Sequence, residues 1–220
     1  MKPAASSSAA GVLLLHGLGR TRWSMQSLER RLSAAGFTVC NHGYPSRRFS
    51  VAALTEQLRA PIAQLSARQQ PVHVVTHSLG GILLRSFLQQ HSLPEGSRAV
   101  MLAPPNRGSE LCDRYRQQLW YQLATGPAGQ ELGTAGDALP QRLAPVAIDV
   151  GVIAGARSSD PWFNHVFAGP HDGKVSVAST RLDEMRDFLV LPVGHTFLMR
   201  DPEVHAAVLS FLRSGRFVCQ

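Results

Sequence analysis

The stretch VHVVTHSLGG, residues 72–81, decides the fold and runs directly into ILLRSFL, residues 82–88. Its first four residues are mostly β-branched, as in a short buried strand, and apolar side chains recur at helical spacing after Gly81. Ser78 is therefore predicted to lie on a turn from strand to helix. Such a turn needs small flanking residues because the two backbones nearly touch, and Gly80 and Gly81 leave that room.

A serine on such a turn is well placed for nucleophilic chemistry. Its hydroxyl is lifted out of the sheet, and the N–H group that follows it lies at a helix N-terminus, where developing negative charge is stabilised. The sequence thus favours Ser78 as a nucleophile. The alternative is an ordinary helix N-cap, because serine is among the preferred N-cap residues.

These residues resemble the α/β-hydrolase superfamily, and more closely its small lipase-like serine esterases, in which the turn has the pattern G-x-S-x-G. Thr76, a bulkier residue, stands where that pattern has its first glycine. The resemblance extends from Val12 to Leu212. It implies an α/β fold with a mostly parallel sheet flanked by helices.

Strands that alternate with helices along the chain predict the same architecture. Buried strands are predicted at residues 12–15, 37–40, 72–75, 99–102, 146–154 and 188–191. Helices are predicted at residues 25–35, at 51–67 with a kink at Pro61, after the Ser78 turn, and from Asp201 onward, where proline follows the N-cap.

The length of 220 residues and a hydrophobic content of 44% fit a single domain with a full core. Residues 1–10 are predicted to form a disordered leader without the apolar core of a signal peptide. Residues from about 105 to 143 begin with a proline- and glycine-rich loop that resembles one in lipase-like members. We expect them to form a small cap over an acyl pocket, with ordinary surface helix and loop as the alternative.

The stretch HGLG, residues 16–19, follows the first predicted strand. Alone it could be a tight turn. In the resembling family, a loop of this kind supplies one oxyanion donor from the residue after its first glycine, which here is Leu18. The second donor would be the N–H group of Leu79, immediately after the nucleophile.

A histidine after the last strand is where the resembling family has its general base, and His195 occupies that place. The acid should lie on the long loop after the fifth strand, where Asp172 stands in the family's D-G-x-V pattern. Asp160, which precedes a proline, is the competitor, and Asp149 in the middle of a strand is a poor candidate. The order Ser78, Asp172, His195 is the order expected for this fold.

Metal and cofactor chemistry find little support in the sequence. A metal site built from His165, His171 and Asp172 is a weaker alternative, because no paired or helical ligand spacing supports it. We therefore expect no metal and no cofactor. Three widely separated cysteines suggest free thiols in a reducing, cytoplasmic compartment: Cys40, Cys112 and Cys219.

The net charge of +7 and a sequence pI of about 10.1 could indicate an anionic partner. Nearly all of the positive charge is arginine, however, and the arginines are scattered, with Lys2 and Lys174 as the lysines. This pattern favours a solvated basic surface, with no nucleic-acid partner and no evident protein partner. No apolar run is long enough to span a bilayer, which leaves transient contact with a membrane surface open.

Taken together, the residues and the resemblance predict an esterase or lipase that cleaves small-molecule or lipid esters through a Ser78–His195–Asp172 triad and an acyl-enzyme. An acyltransferase would use the same acyl-enzyme and exclude water. A non-catalytic binding protein of the same fold is the third interpretation. It would be expected to have lost at least one of these groups, and all of them are present.

Overall fold

The computed structural model describes residues 10–218. The predicted leader, apart from Ala10, and Cys219 lie outside the described residues. Within residues 10–218, six strands form one sheet in the order β2-β1-β3-β4-β5-β6, and every neighbouring pair is parallel. The strands are β1 (Gly11–Leu15), β2 (Thr38–His42), β3 (Val72–His77), β4 (Arg98–Leu102), β5 (Asp149–Gly155) and β6 (Asp187–Leu191).

The strand order creates a switch point between β1 and β3. The chain passes from β1 outward to β2 and then crosses back to β3 on the other side of β1. In open α/β sheets, ligands bind beyond the carboxyl ends of the strands at such a point. The HGLG loop follows β1 and Ser78 follows β3, so the topology brings both to this position.

Helices and short 3₁₀ turns fill the connections. The helices are α1 (Gln26–Ala34), α2 (Val51–Glu56), α3 (Arg59–Ser66), α4 (Leu79–Leu88), α5 (Glu110–Tyr115), α6 (Leu119–Gln130), α7 (Leu139–Arg142) and α8 (Pro202–Ser214). The 3₁₀ turns are Arg22–Met25, Pro161–Val166 and Leu198–Arg200. No helix within the described range is both long and apolar enough to cross a membrane.

Hydrophobic layers cover both faces of the sheet, which explains the unbroken apolar run in β1. Leu13 and Leu15 belong to the layer formed with α2, α3 and α4, whereas Val12 and Leu14 belong to the layer formed with α1 and α8. Successive side chains of a strand point to opposite faces, so a strand covered on both sides is apolar at every position.

Two predictions about local structure need correction. The single helix predicted at 51–67 is two helices, and the break lies at Gln57 and Leu58 rather than at Pro61. Pro61 has no N–H group for the Gln57 carbonyl four residues earlier, so the helix is interrupted there. The fifth strand begins at Asp149 instead of Val146.

Asp149 is therefore at the start of its strand and not in the middle. Its carboxylate pairs with Arg186 at 3.0 Å and with Arg98 at 3.7 Å, at the amino ends of β4 and β5. This is the edge of the sheet opposite to the one where the Ser78 turn lies.

Candidate active site

Ser78 occupies a strained turn between β3 and α4. Its backbone has φ 51° and ψ −118°, a conformation uncommon for residues other than glycine. The Ser78 N–H donates to the Leu102 carbonyl at 2.9 Å, and the Ser78 carbonyl accepts from the Gly81 N–H at 2.9 Å. A Cβ on Gly80 would lie 2.8 Å from the Leu15 carbonyl oxygen, so glycine allows α4 to approach β1 this closely.

Thr76, the departure from the family pattern, is buried beside Gly81. Thr76 is fully buried, and its Oγ1 lies 3.4 Å from the point that a Cβ on Gly81 would occupy. That Cβ would also lie 2.8 Å from the Cβ of Pro104. The lack of a side chain at position 81 is therefore needed for the close approach of Pro104, whereas a Cβ there would make only an ordinary contact with Thr76.

His195 and Asp172 are joined by a buried hydrogen bond. The His195 Nδ1 lies 2.7 Å from Oδ2 of Asp172, whose side chain has no solvent exposure. The other carboxylate oxygen accepts from the N–H groups of Lys174 and Val175 at 3.0 and 2.8 Å. The carboxylate accepts from Nδ1–H, which leaves the Nε2 of His195 as the basic nitrogen.

The competing residues from the sequence have other partners. Asp160 pairs with Lys174 at 3.2 Å. His171 stacks on Phe167, with 4.2 Å between ring centroids, and Nε2 of His165 lies 3.2 Å from the hydroxyl of Tyr115. Within residues 10–218, no three His, Cys, Asp or Glu side chains are grouped as metal ligands.

His77, which the sequence analysis did not single out, lies between the serine turn and His195. Its Nε2–H donates to the His195 carbonyl at 3.1 Å, and the two imidazole centroids are 4.7 Å apart. Burial, and after it the neighbouring His195, lowers the pKa of His77 well below its ordinary value, so this ring stays neutral. No sequence signal separates such a residue from any buried strand histidine.

The HGLG loop is fixed by aromatic stacking and hydrogen bonds. The ring of His16 stacks on Tyr44 with centroids 4.1 Å apart, and burial lowers the pKa of His16. The Tyr44 hydroxyl donates to the His16 carbonyl, and the Gly19 N–H donates to Oγ of Ser46 at 3.0 Å. The predicted donor Leu18 lies on this loop and lines the cavity described next.

Leu79, the second predicted donor, is the first residue of α4. Its side chain is fully buried in the core. A helix gives its first N–H groups no carbonyl partner, so the Leu79 N–H is not used within the helix. The structure therefore puts the backbone of Leu79 directly beside the serine.

A cavity of about 340 Å³ contains Ser78 and His195 in its lining. Its walls are largely aromatic and aliphatic, with contributions from the predicted cap segment and from the Pro161–Val166 turn. These include Trp120, Tyr121, Leu132 and Phe163. The size and the apolar walls are typical of sites for small organic ligands.

The sequence profile of the alpha/beta hydrolase family matches residues 12–208, and the chain belongs to this family. The predicted family and fold class are thus confirmed. No curated protein sequence matches the chain.

Several solved structures are similar to the chain at low sequence identity. The mature form of lipase BlEst2 from Bacillus licheniformis has a TM-score of 0.71 and 16% identity, covering 98% of this chain and 95% of that chain. Phospholipase PlaB from Legionella pneumophila has a TM-score of 0.72 and 17% identity, covering 94% and 60%. The metagenomic carboxyl esterase MGS0156 has a TM-score of 0.68 and 17% identity, covering 88% and 66%. At these identities, the likeness concerns the fold alone.

Proposed function

We propose that the protein is a serine hydrolase that cleaves carboxylic esters, with Ser78 as nucleophile, His195 as general base and Asp172 as the acid that orients the base. The observation that carries this proposal is the buried 2.7 Å hydrogen bond between His195 and Asp172, beside a strained serine turn in one cavity. The similar structures, which are those of a lipase, a phospholipase and a carboxyl esterase, are compatible with it.

In the acylation step, the Nε2 of His195 takes the proton of the Ser78 hydroxyl. The serine oxygen forms a bond to the ester carbonyl carbon, and an electron pair of the carbonyl double bond moves onto its oxygen. The N–H groups of Leu18 and Leu79 are the proposed donors to this oxyanion. Each such donor typically lowers the barrier by about 2.7–4 kcal/mol.

The intermediate then collapses to an acyl-enzyme. The bond between the carbonyl carbon and the alcohol oxygen breaks, and His195 gives its proton to the departing alcohol. Water then gives a proton to the same imidazole and forms a bond to the acyl carbon. The bond from that carbon to the Ser78 oxygen breaks, the acid leaves, and His195 returns the proton to Ser78. Each of these steps uses only groups of this chain, the substrate and water.

The proposed substrates are small-molecule or lipid esters. The apolar walls of the cavity suit an acyl chain, and we propose that residues 105–143 act as a cap that forms part of these walls. The hydrogen bond between the Tyr115 hydroxyl and His165 connects the cap segment to the loop that follows β5.

Free thiols support a reducing, cytoplasmic setting for this activity. Cys40 and Cys112 form no disulfide within residues 10–218, and burial raises the pKa of both thiols. Both are therefore mainly protonated and unreactive at neutral pH.

Substitution of Ser78 tests the proposal. Ser78→Ala should abolish turnover of p-nitrophenyl butyrate and labelling by a fluorophosphonate. Ser109, which lines the same cavity and caps α5, provides the matched control. Ser109→Ala should keep both activities, although loss of the cap costs about 1 kcal/mol of stability.

Retained turnover or labelling in a folded Ser78→Ala variant would refute the assignment. Analysis of products with added alcohol separates hydrolysis from acyl transfer. A hydrolase releases mainly the free acid, whereas an acyltransferase forms mainly the new ester.

A further inference from the structure

We infer that Arg20 forms an anion-binding subsite in the cavity, and that the preferred substrates are esters whose alcohol part carries a carboxylate or phosphate group. This inference rests on the proposed function and narrows its substrate class. The first observation is the charge of the cavity lining. It includes the cations Arg20 and Lys174, and no Asp or Glu among the described residues.

The two cations differ in how far their charge is balanced. Lys174 already pairs with Asp160 at 3.2 Å. The Nη2 of Arg20 donates to the Thr196 hydroxyl at 3.0 Å, which is a neutral partner. Within residues 10–218, no carboxylate lies within ion-pair distance of Arg20. Arg20 therefore retains both its charge and unused N–H groups for a ligand.

Arginine has the chemistry for such a ligand. Its guanidinium is planar and always charged, and its paired N–H groups match the two oxygens of a carboxylate or phosphate. A fully exposed arginine would bind an anion weakly because water screens the pair. Arg20 is itself exposed, but it also belongs to the lining of a cavity whose other surfaces are mostly apolar, so we expect a modest contribution from its contact with a bound anion.

The position of Arg20 indicates which part of the substrate carries the anion. Arg20 follows the HGLG loop by one residue, and its hydrogen-bond partner Thr196 directly follows His195. In the proposed mechanism, His195 gives its proton to the departing alcohol. The alcohol part of the ester must therefore lie beside His195, which places an anion on that part within reach of Arg20.

Three matched substrates test the inference: 3-(butanoyloxy)benzoate, 3-(butanoyloxy)phenyl phosphate and the neutral 3-(butanoyloxy)benzamide. The readout is the ratio of kcat/KM for each anionic substrate to kcat/KM for the benzamide. Arg20→Gln should lower this ratio by about three- to fivefold, which corresponds to one solvent-exposed charge pair. The larger of the two losses shows whether a carboxylate or a phosphate is the better match.

Arg22→Gln is the control, because Arg22 lies over the ring of Trp23 and is not part of the cavity lining. It should leave the ratios as in the unchanged protein. Higher ionic strength should reduce the ratios in the unchanged protein more than in Arg20→Gln.

Equal losses for all three substrates in Arg20→Gln would overturn the inference, because they would mean that Arg20 acts only on the loop of His195 through Thr196. Unchanged kcat/KM for all three substrates in Arg20→Gln would overturn it too. Failure of the proposed function would give a different result. Neither the unchanged protein nor any variant would then cleave the ester bond of 3-(butanoyloxy)benzamide.

A binding measurement distinguishes failure of the anion-binding subsite from failure of the proposed hydrolysis, because it needs no turnover. Calorimetry on Ser78→Ala compares 3-hydroxybenzoate with 3-hydroxybenzamide, and the same comparison is repeated with Arg20→Gln added. The benzoate should bind more tightly only while Arg20 is present. Equal affinities for the two compounds in Ser78→Ala would overturn the subsite.

Discussion

Replacement of Asp172 by asparagine reverses one hydrogen bond and leaves two others in place. Oδ1 of Asp172 accepts from the N–H groups of Lys174 and Val175, a position that only an oxygen can fill. The amide nitrogen of an asparagine must therefore replace Oδ2, which lies 2.7 Å from Nδ1 of His195. An amide nitrogen donates, so Nδ1 must become the acceptor, and the ring proton moves to Nε2.

The consequence for catalysis is large, and the consequence for stability is small. With a proton on Nε2, His195 cannot take the proton of Ser78, and we expect kcat to fall by about 10⁴-fold, as such a tautomer change does in a serine protease. The variant keeps its hydrogen bonds but loses their charge assistance, which should cost about 1–2 kcal/mol. For a domain of this size, the melting temperature should fall by roughly 3–6 °C.

The assay combines kcat for p-nitrophenyl butyrate with thermal unfolding followed by circular dichroism. Asp160→Asn is the matched control, because this carboxylate pairs with Lys174 and not with His195. It should change kcat by less than about threefold, in line with a partly exposed ion pair. The reasoning is refuted if folded Asp172→Asn keeps a tenth of the activity, or if Asp160→Asn loses as much as Asp172→Asn.

Three further predictions follow from other contacts. A Cβ on Gly17 would lie 2.7 Å from Nδ1 of His77, so Gly17→Ala should displace the loop with the proposed oxyanion donor and lower kcat by about 10²-fold. Burial, and second the charge of Arg98, holds the pKa of His73 at about 4. The unfolded chain therefore binds more protons between pH 6.5 and 4, and the free energy of unfolding should fall by up to about 3 kcal/mol as the pH drops through this window. Phe211 is fully buried, and Phe211→Ala should lower the free energy of unfolding in urea by about 3–5 kcal/mol without altering KM.

Each of these three predictions has a control variant. Gly136→Ala should keep full activity, because a Cβ at that position has open space. His73→Gln can still accept the Arg98 N–H bond seen at 3.0 Å but cannot titrate, so its stability should vary less with pH. If the stability of His73→Gln varies with pH as much as that of the unchanged protein, His73 is not the source of the pH dependence. Leu123→Ala, at a side chain 71% exposed, should change the free energy of unfolding by no more than about 0.5 kcal/mol.

Most of the fold could be predicted because the sheet is covered on both faces. Apolar runs such as residues 12–15 and 99–102 have few alternatives to a buried strand, and β1 and β4 lie there. The ends of elements were less predictable. Residues 146–148 are apolar like the strand that follows, and only the pairing of Asp149 with Arg98 across β4 and β5 fixes where β5 begins.

The candidate site was partly predictable, for a similar reason. Ser78 and His195 follow strands, and the topology brings the ends of parallel strands to one edge. Asp172 and Asp160 both lie on one irregular loop, and no periodicity fixes which carboxylate approaches His195. The contact of His77 with His195 could not be predicted, because this hydrogen bond is to a backbone carbonyl 118 residues away and such a pairing leaves no pattern in the sequence.

The positive φ of Ser78 also bears on engineering for heat resistance. A residue held in this conformation stores on the order of 1–3 kcal/mol, within a total folding free energy of about 5–15 kcal/mol. Glycine would relieve that strain, so selection for thermal tolerance alone would favour Ser78→Gly. A screen that scores only survival on heating would then enrich variants that are more stable but lack the Ser78 hydroxyl. A parallel selection for turnover is needed to retain that hydroxyl.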